Sequence, residues 1–172
     1  MPKLFPLNLK SWIDENRELL KPPVGNKMVW KDTEFLIMVV GGPNCRKDFH
    51  IDPGEEFFYQ VEGDITLRVM EEGKPRDIAI REGEIFLLPS LVPHSPQRPE
   101  NTVGLVIERQ RRKEEKDALR WYCDRCGHLL HEAPFHLIDL STQLKPLIEN
   151  YYADEKLRTC AMCGDIQQPP SA

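Results

Sequence analysis

Apolar residues along this chain fall into two textures. Near the N-terminus, Leu9, Trp12, Ile13 and Leu20 recur at helical spacing, which predicts a short helix over 8–20 stopped by Pro22-Pro23. From Lys27 onward the pattern changes to short apolar blocks. The clearest is 64–70, where Ile65, Leu67 and Val69 alternate with Thr66 and Arg68, the period of a strand with one buried face. Comparable blocks cover 34–40, 55–61, 77–80, 85–88 and 102–108. Gly41-Gly42-Pro43, Gly63-Asp64, Glu72-Gly73-Lys74 and Glu82-Gly83-Glu84 supply turns between them. Short strands at such close spacing predict an antiparallel sandwich or barrel.

Beyond residue 108 the texture changes again. The run 109–117 (RQRRKEEKD) has no apolar residue and reads as a solvated linker or strand exit. It divides an expected barrel with its N-terminal helix, residues 1–108, from a C-terminal extension, residues 109–172. In the extension, 135–140 reads as a strand. A helix opening at Ser141 would bury Leu144, Leu147, Ile148 and Tyr151. The expected fold is mainly β with short flanking helices.

Composition narrows the function classes. At 172 residues the chain can bury a core without disulfides. Its 28 acidic against 23 basic residues argue against a general nucleic-acid binder, which needs a basic footprint. No apolar run approaches the roughly 18–20 residues of a membrane span, and the N-terminus lacks the apolar stretch of a signal peptide. A soluble, cytoplasmic protein is expected. Four of the 5 cysteines lie in the extension as two C-x2-C pairs, Cys123/Cys126 and Cys160/Cys163. In such a chain these pairs read as a metal site before they read as disulfides. Four thiolates suit Zn(II) or a rubredoxin-type Fe, and Gly127 and Gly164 suit the knuckle turns around the sulfurs. A sphere filled by four sulfurs leaves no position for substrate, so a structural ion is expected. The nearby His128 and His131 read as surface groups.

A second constellation lies in the barrel. Glu56 opens an apolar strand on the face of Phe58 and Gln60, His50 lies just before that strand, and His94 lies in the proline-rich turn PSLVPHSPQRP. A carboxylate on an apolar strand is costly to bury unless paired or bound to metal. Two imidazoles and a carboxylate form the facial triad that holds Fe(II) with positions left open. Arg46, Arg98 and Glu108 lie close to these residues along the chain. Together they suggest a pocket with two guanidiniums for an anionic ligand and a carboxylate for proton handling.

The spacings His50-x-Asp52-x3-Glu56-x6-Gly63 and Gly83-x5-Pro89-x4-His94 resemble the two motifs of the cupins, which implies a jelly-roll barrel with metal ligands in its interior. Asp52 stands where many cupins carry a second histidine, and Leu91 where the second motif usually has glycine. A cupin isomerase, another ring-cleaving dioxygenase or a non-catalytic acid-binding cupin could share parts of this pattern. Longer stretches are more specific. KPPVGN (21–26), VVGGPN (39–44), EEFFYQ (55–60), IFLLPSLVPHSPQRPE (85–100), VIERQR (106–111) and the terminal WYCDRCGH…CAMCG resemble the 3-hydroxyanthranilate 3,4-dioxygenase family, in its single-cupin form. That resemblance implies Fe(II) on His50, Glu56 and His94 and opening of the 3-hydroxyanthranilate ring by O2. The product, 2-amino-3-carboxymuconate semialdehyde, cyclises to quinolinate on the kynurenine route to NAD. It further implies Arg98 on the substrate carboxylate, Arg46 on that carboxylate or on oxygen, and Glu108 as acceptor of the hydroxyl proton. Glu56 then faces the substrate as well as the metal, a second Fe or Zn sits on the four cysteines, and the enzyme is a homodimer.

Overall fold

The computed structural model describes residues 5–22, 25–138 and 140–170. Helix α1 (Leu9–Asn16) opens on Asn8, whose side chain accepts the Ser11 N–H, and a 3-10 turn (Arg17–Leu20) continues it. Pro22 follows; Pro23 of the expected stop lies outside the described residues. Eleven described strands come next. They are β1 (Asn26–Met28), β2 (Phe35–Gly41), β3 (Asp48–Ile51), β4 (Glu56–Glu62), β5 (Ile65–Glu71), β6 (Lys74–Ile80), β7 (Ile85–Leu88), β8 (His94–Gln97), β9 (Val103–Arg109), β10 (Asp117–Tyr122) and β11 (Leu129–Phe135). Helices α2 (Leu140–Ala153) and α3 (Glu155–Arg158) close the chain.

The strands form two antiparallel sheets, ordered β1-β2-β9-β4-β7 and β11-β10-β3-β8-β5-β6. The barrel interior lies between them. It is apolar at one end, where Met38, Phe58, Leu67, Val69, Leu88 and Val106 form a buried cluster. The alternation read in 64–70 is the cause on β5: Ile65, Leu67 and Val69 are at most 3% exposed, while Arg68 between them is out in solvent. The β5–β6 turn holds Glu72 and Gly73 both at positive φ, the conformation that a two-residue hairpin requires. Helix α1 covers the outside of the first sheet, with Ile13 and Leu20 packed on Val39 and Val103.

The C-terminal expectations need correction. The residues after 108 are continuous with the barrel: β10 pairs with β3, so the expected division at 108/109 coincides with no break in the sheet. The strand expected over 135–140 instead runs Leu129–Phe135, and β10 was not foreseen; residue 139 lies outside the described residues. β10 alternates weakly because it is buried on both faces for most of its length, whereas β11, at the sheet edge, is half-buried at most. The expected face of α2 does pack inward, with Leu144, Leu147, Ile148 and Tyr151 around Trp121 and Leu119. His131 is correspondingly no free surface group: its ring stacks on Trp121, centroids 5.7 Å apart. His128 is exposed, as expected.

Candidate active site and metal centres

His50 and His94 belong to strands of the second sheet, not to a strand approach and a turn. They are cross-strand partners on β3 and β8, with ring centroids 5.3 Å apart. Glu56 comes from the first sheet, where it lies opposite Glu108 on β9. The two sheets thus each send functional side chains into the barrel. One potential ligand atom from each of His50, Glu56 and His94 lies within 4.8 Å of the others, and all three residues are buried. Leu91 adopts φ +64°, which explains the glycine usual at that place, and its N–H donates to the Asp52 carbonyl at 2.7 Å beside the site.

The electrostatics of this cluster fit a cation. His94 Nδ1 lies 3.0 Å from the Val92 carbonyl, so a proton there is donated to it and Nε2 presents a lone pair. That Nε2 faces Glu56 Oε2 at 2.8 Å, yet the carboxylate oxygen has no aligned hydrogen bond. Two electron-rich atoms so placed require a positive charge between them. Burial disfavours a charged His94, but the Glu56 carboxylate outweighs it and raises the ring's pKa. Burial likewise opposes ionisation of Glu56, and the charges of His94, His50 and Arg111 outweigh it and lower its pKa. Three buried carboxylates, Asp52, Glu108 and Asp117, crowd the single buried guanidinium of Arg111, and Glu56 adds a fourth buried negative charge opposite Glu108. The deficit of positive charge is what a divalent ion supplies.

Arg98 and Glu108 line the same cavity, which measures about 90 Å³ and has Met38, Phe58 and Val106 as apolar walls. Arg98 is 4% exposed, and among the described residues its guanidinium touches only the neutral Gln60 amide, at 3.4 Å. Burial lowers its pKa to about 10, with only partial compensation from Glu56. Gly104 makes room for it: a Cβ there would stand 2.9 Å from Arg98 Nη1 and 2.8 Å from Gln60 Oε1. Arg46 also reaches the cavity but is ion-paired with Asp48. Outward, Asn26, Asn44, Arg46 and Leu144 are shared with a wider cleft of about 420 Å³.

The charged run 109–117 leaves β9 and is exposed at 110, 112–114 and 116, but two of its charges are not solvated as expected. The Arg111 side chain is 1% exposed and Asp117 is fully buried. Arg111 bonds Glu108 and Asp117, and Asp117 Oδ2 lies 2.7 Å from His50 Nε2. A run of charges has no periodic signature to separate a buried ion cluster from a solvated face, so only the barrel's closure reveals it.

The four cysteines converge as expected. Cys123 and Cys163 sulfurs are 3.6 Å apart and those of Cys126 and Cys160 3.5 Å, far from disulfide length. The two halves are built alike. Gly127 N–H donates to the Cys123 carbonyl and Gly164 N–H to the Cys160 carbonyl, each at 2.9 Å, with both glycines near φ +70°. Burial opposes ionisation of Cys160, but the N–H groups of Cys163 and Met162 overcome it and lower its pKa to about 7. Cys163 receives a similar bond from Asp165, yet burial and the neighbouring sulfurs push it up to about 12. Four thiolates therefore need a cation to share the site.

A family model described as 3-hydroxyanthranilic acid dioxygenase matches residues 1–152. The chain belongs to that family. Curated relatives agree, all named 3-hydroxyanthranilate 3,4-dioxygenase. One from Xanthomonas euvesicatoria pv. vesicatoria is 53% identical and covers 96% of this chain and 93% of its own. One from Jannaschia sp. is 52% identical over 99% and 97%, and one from Bacillus cereus is 49% identical over 92% and 89%. For the fold alone, a crystal structure of a Neisseria meningitidis protein superposes with TM-score 0.50 at 22% identity, covering 62% of this chain and 100% of that one. Among the described residues no helix is long and apolar enough to cross a membrane.

Asn26 and Asn44, which line the cavity, and Arg111 and Asp117, which bond its residues from behind, were not singled out from the sequence. Asn26 and Asn44 lie in the quoted stretches 21–26 and 39–44, which was the signal available. A further expectation concerns the cysteines. Replacing Cys123 and Cys126 by Ser is expected to lower the melting temperature by on the order of 10 °C, because a four-thiolate ion contributes folding free energy directly. Turnover per folded, metal-loaded molecule should stay at the parent's level. Scanning calorimetry with metal analysis checks the first part and O2 uptake the second.

Proposed function

We propose that this protein cleaves the ring of 3-hydroxyanthranilate with O2, using Fe(II) held by His50, Glu56 and His94. The observation that carries the reading is a buried two-histidine, one-carboxylate cluster opening on a cavity with an uncompensated guanidinium, Arg98. When bound, Fe(II) supplies a Lewis-acidic, redox-capable centre with open positions at which a chelating aromatic and O2 meet. The protein residues divide the remaining work. Arg98 takes the substrate carboxylate as the anionic partner it lacks. Arg46, anchored by Asp48, sits where the carboxylate or oxygen approaches. Glu108 accepts the ring hydroxyl proton, and burial together with the charge of Glu56 raises its proton affinity well above that of an ordinary carboxylate. Met38, Phe58 and Val106 hold the ring plane and exclude water. The product, 2-amino-3-carboxymuconate semialdehyde, then cyclises to quinolinate, a precursor of NAD.

Oxygen consumption by the Fe(II)-loaded protein tests this directly. Equimolar O2 uptake with 3-hydroxyanthranilate and formation of quinolinate are expected. No uptake by protein with full Fe(II) occupancy would sink the reading.

Two copies of the chain are also proposed to pair through the outer face of the first sheet. In one row across it, Ile37, Ile107, Phe57 and Leu87 are cross-strand neighbours; in the next, Leu105, Tyr59 and Ile85. Ile85 is 66% and Leu87 54% exposed, so the patch continues beyond the cover that α1 provides. A second copy offers the same apolar rows in return. Leu87→Lys should convert a dimer to a monomer in light scattering after size-exclusion chromatography. A monomeric parent, or a variant that stays dimeric, rules this face out.

A further inference from the structure

We infer that Arg111 is a positioning residue of the active site, fixing Glu108 on one side and, through Asp117, the metal ligand His50 on the other. The inference rests on the assignment of His50 as a ligand and Glu108 as proton acceptor. Arg111 follows the last cavity-facing group of β9, Glu108, by three residues and turns back into the barrel before β10 begins. Its Nε and Nη2 donate to the two oxygens of Asp117 at 2.8 and 2.7 Å, a forked pair. Nη2 also donates to Glu108 Oε2 at 2.8 Å, and Nη1 to the Arg109 carbonyl at 2.9 Å. Both Nη2 protons are thereby committed. Asp52, 2.9 Å away, receives charge but no aligned hydrogen bond.

The two carboxylates bonded by Arg111 come from different sheets: Glu108 from the first, Asp117 from the second. One planar group therefore sets the spacing of the two walls at the metal end of the cavity. Asp117, held from behind, offers Oδ2 to His50 Nε2 at 2.7 Å. That contact fixes which imidazole nitrogen carries the proton and leaves the other for the ion. A buried ion cluster serving stability alone is readily replaced by apolar side chains. Here each carboxylate bonded is either in the cavity wall or touching a ligand, which points to orientation as the role.

The test compares Asp117→Asn and Arg111→Lys with the parent, and uses Arg109→Gln as a control. Arg109 pairs with Glu115 at the surface of the same segment. Co(II) affinity, measured by calorimetric titration of metal-free protein, should fall by about 10–100-fold in Asp117→Asn and Arg111→Lys. Arg109→Gln should leave it unchanged. With Fe(II), Arg111→Lys should lower kcat by about 100-fold with little change in KM, because Arg98 still binds the carboxylate. Lysine keeps the charge but cannot span the fork. Should Arg111→Lys fail to fold, the near-isosteric Asp117→Asn decides. Folded variants with the parent's Co(II) affinity, or equal losses in Arg109→Gln, overturn the inference. A parent that binds Co(II) through His50 but does not open the ring would refute the proposed function while leaving the Co(II) comparison to judge Arg111.

Discussion

Glu56→Ala is expected to strip most of the metal from the barrel and abolish ring cleavage, with the fold retained. Glu56 is the only anionic member of the triad, and the only one contributed by the first sheet. Without it the ion keeps two imidazoles, both from the second sheet, and one wall of the site has no hold on it. A labile divalent ion on two neutral ligands dissociates readily. The same carboxylate also faces His94 Nε2 at 2.8 Å and raises the ring's affinity for a proton. Proton and metal compete for that nitrogen, which gives a sign for the pH dependence. His94 titrates above the ordinary value of 6.5, so apparent metal affinity should decline once pH falls below that raised value, by about tenfold per unit. Fold retention is expected because the buried apolar cluster around Phe58 and Leu67, which packs the barrel, does not include Glu56. Metal analysis after dialysis, with circular dichroism alongside, checks each part. A variant that keeps stoichiometric Fe and normal turnover would show that the ligands are assigned wrongly.

The second large effect is expected from Arg98→Ala, which should weaken substrate binding by roughly 2–4 kcal/mol, the range for truncating one partner of a buried charge pair. Arg98 is fixed in the barrel interior by backbone bonds between residues 98 and 44, and Gly104 leaves the space its guanidinium fills. In the absence of an anion its neighbour is a neutral amide, and burial has already weakened its hold on its proton. An incoming carboxylate relieves that situation, so the pair should be strong. Alanine leaves the substrate carboxylate in the cavity without that partner. Arg46 compensates poorly because Asp48 already occupies it. The discriminating measurement is a double comparison: parent and variant, each with 3-hydroxyanthranilate and with 2-aminophenol, which lacks the carboxylate. The parent should handle 2-aminophenol poorly, and Arg98→Ala should worsen it little further. Equal losses on both compounds would instead assign Arg98 a role in folding.

These expectations draw on two kinds of information, and the chain separates them cleanly. Sequence alone was sufficient for the strands from β4 to β7, because a two-residue alternation such as Ile65-Thr66-Leu67-Arg68-Val69 states which face is buried. It was sufficient for the cysteine site, because each C-x2-C-G knuckle is local and carries its own geometry. It also named His50, Glu56 and His94, whose spacing matches a known pair of motifs, and the charges Arg46, Arg98 and Glu108, and the barrel brings all six to one cavity. The C-terminal strands, and the cluster of Asp52, Glu108, Arg111 and Asp117, were different. β10 is built from Asp117-Ala-Leu-Arg-Trp-Tyr, buried from both sides and therefore without clean alternation. The adjoining RQRRKEEKD run looks like any solvated segment, because charge alone does not say whether a partner waits across the barrel. Arg111 finds its partners only when β9 and β10 join opposite sheets. Burial of an ion depends on where distant carboxylates are brought, and that is settled by the closure of the barrel, not by neighbours in the chain.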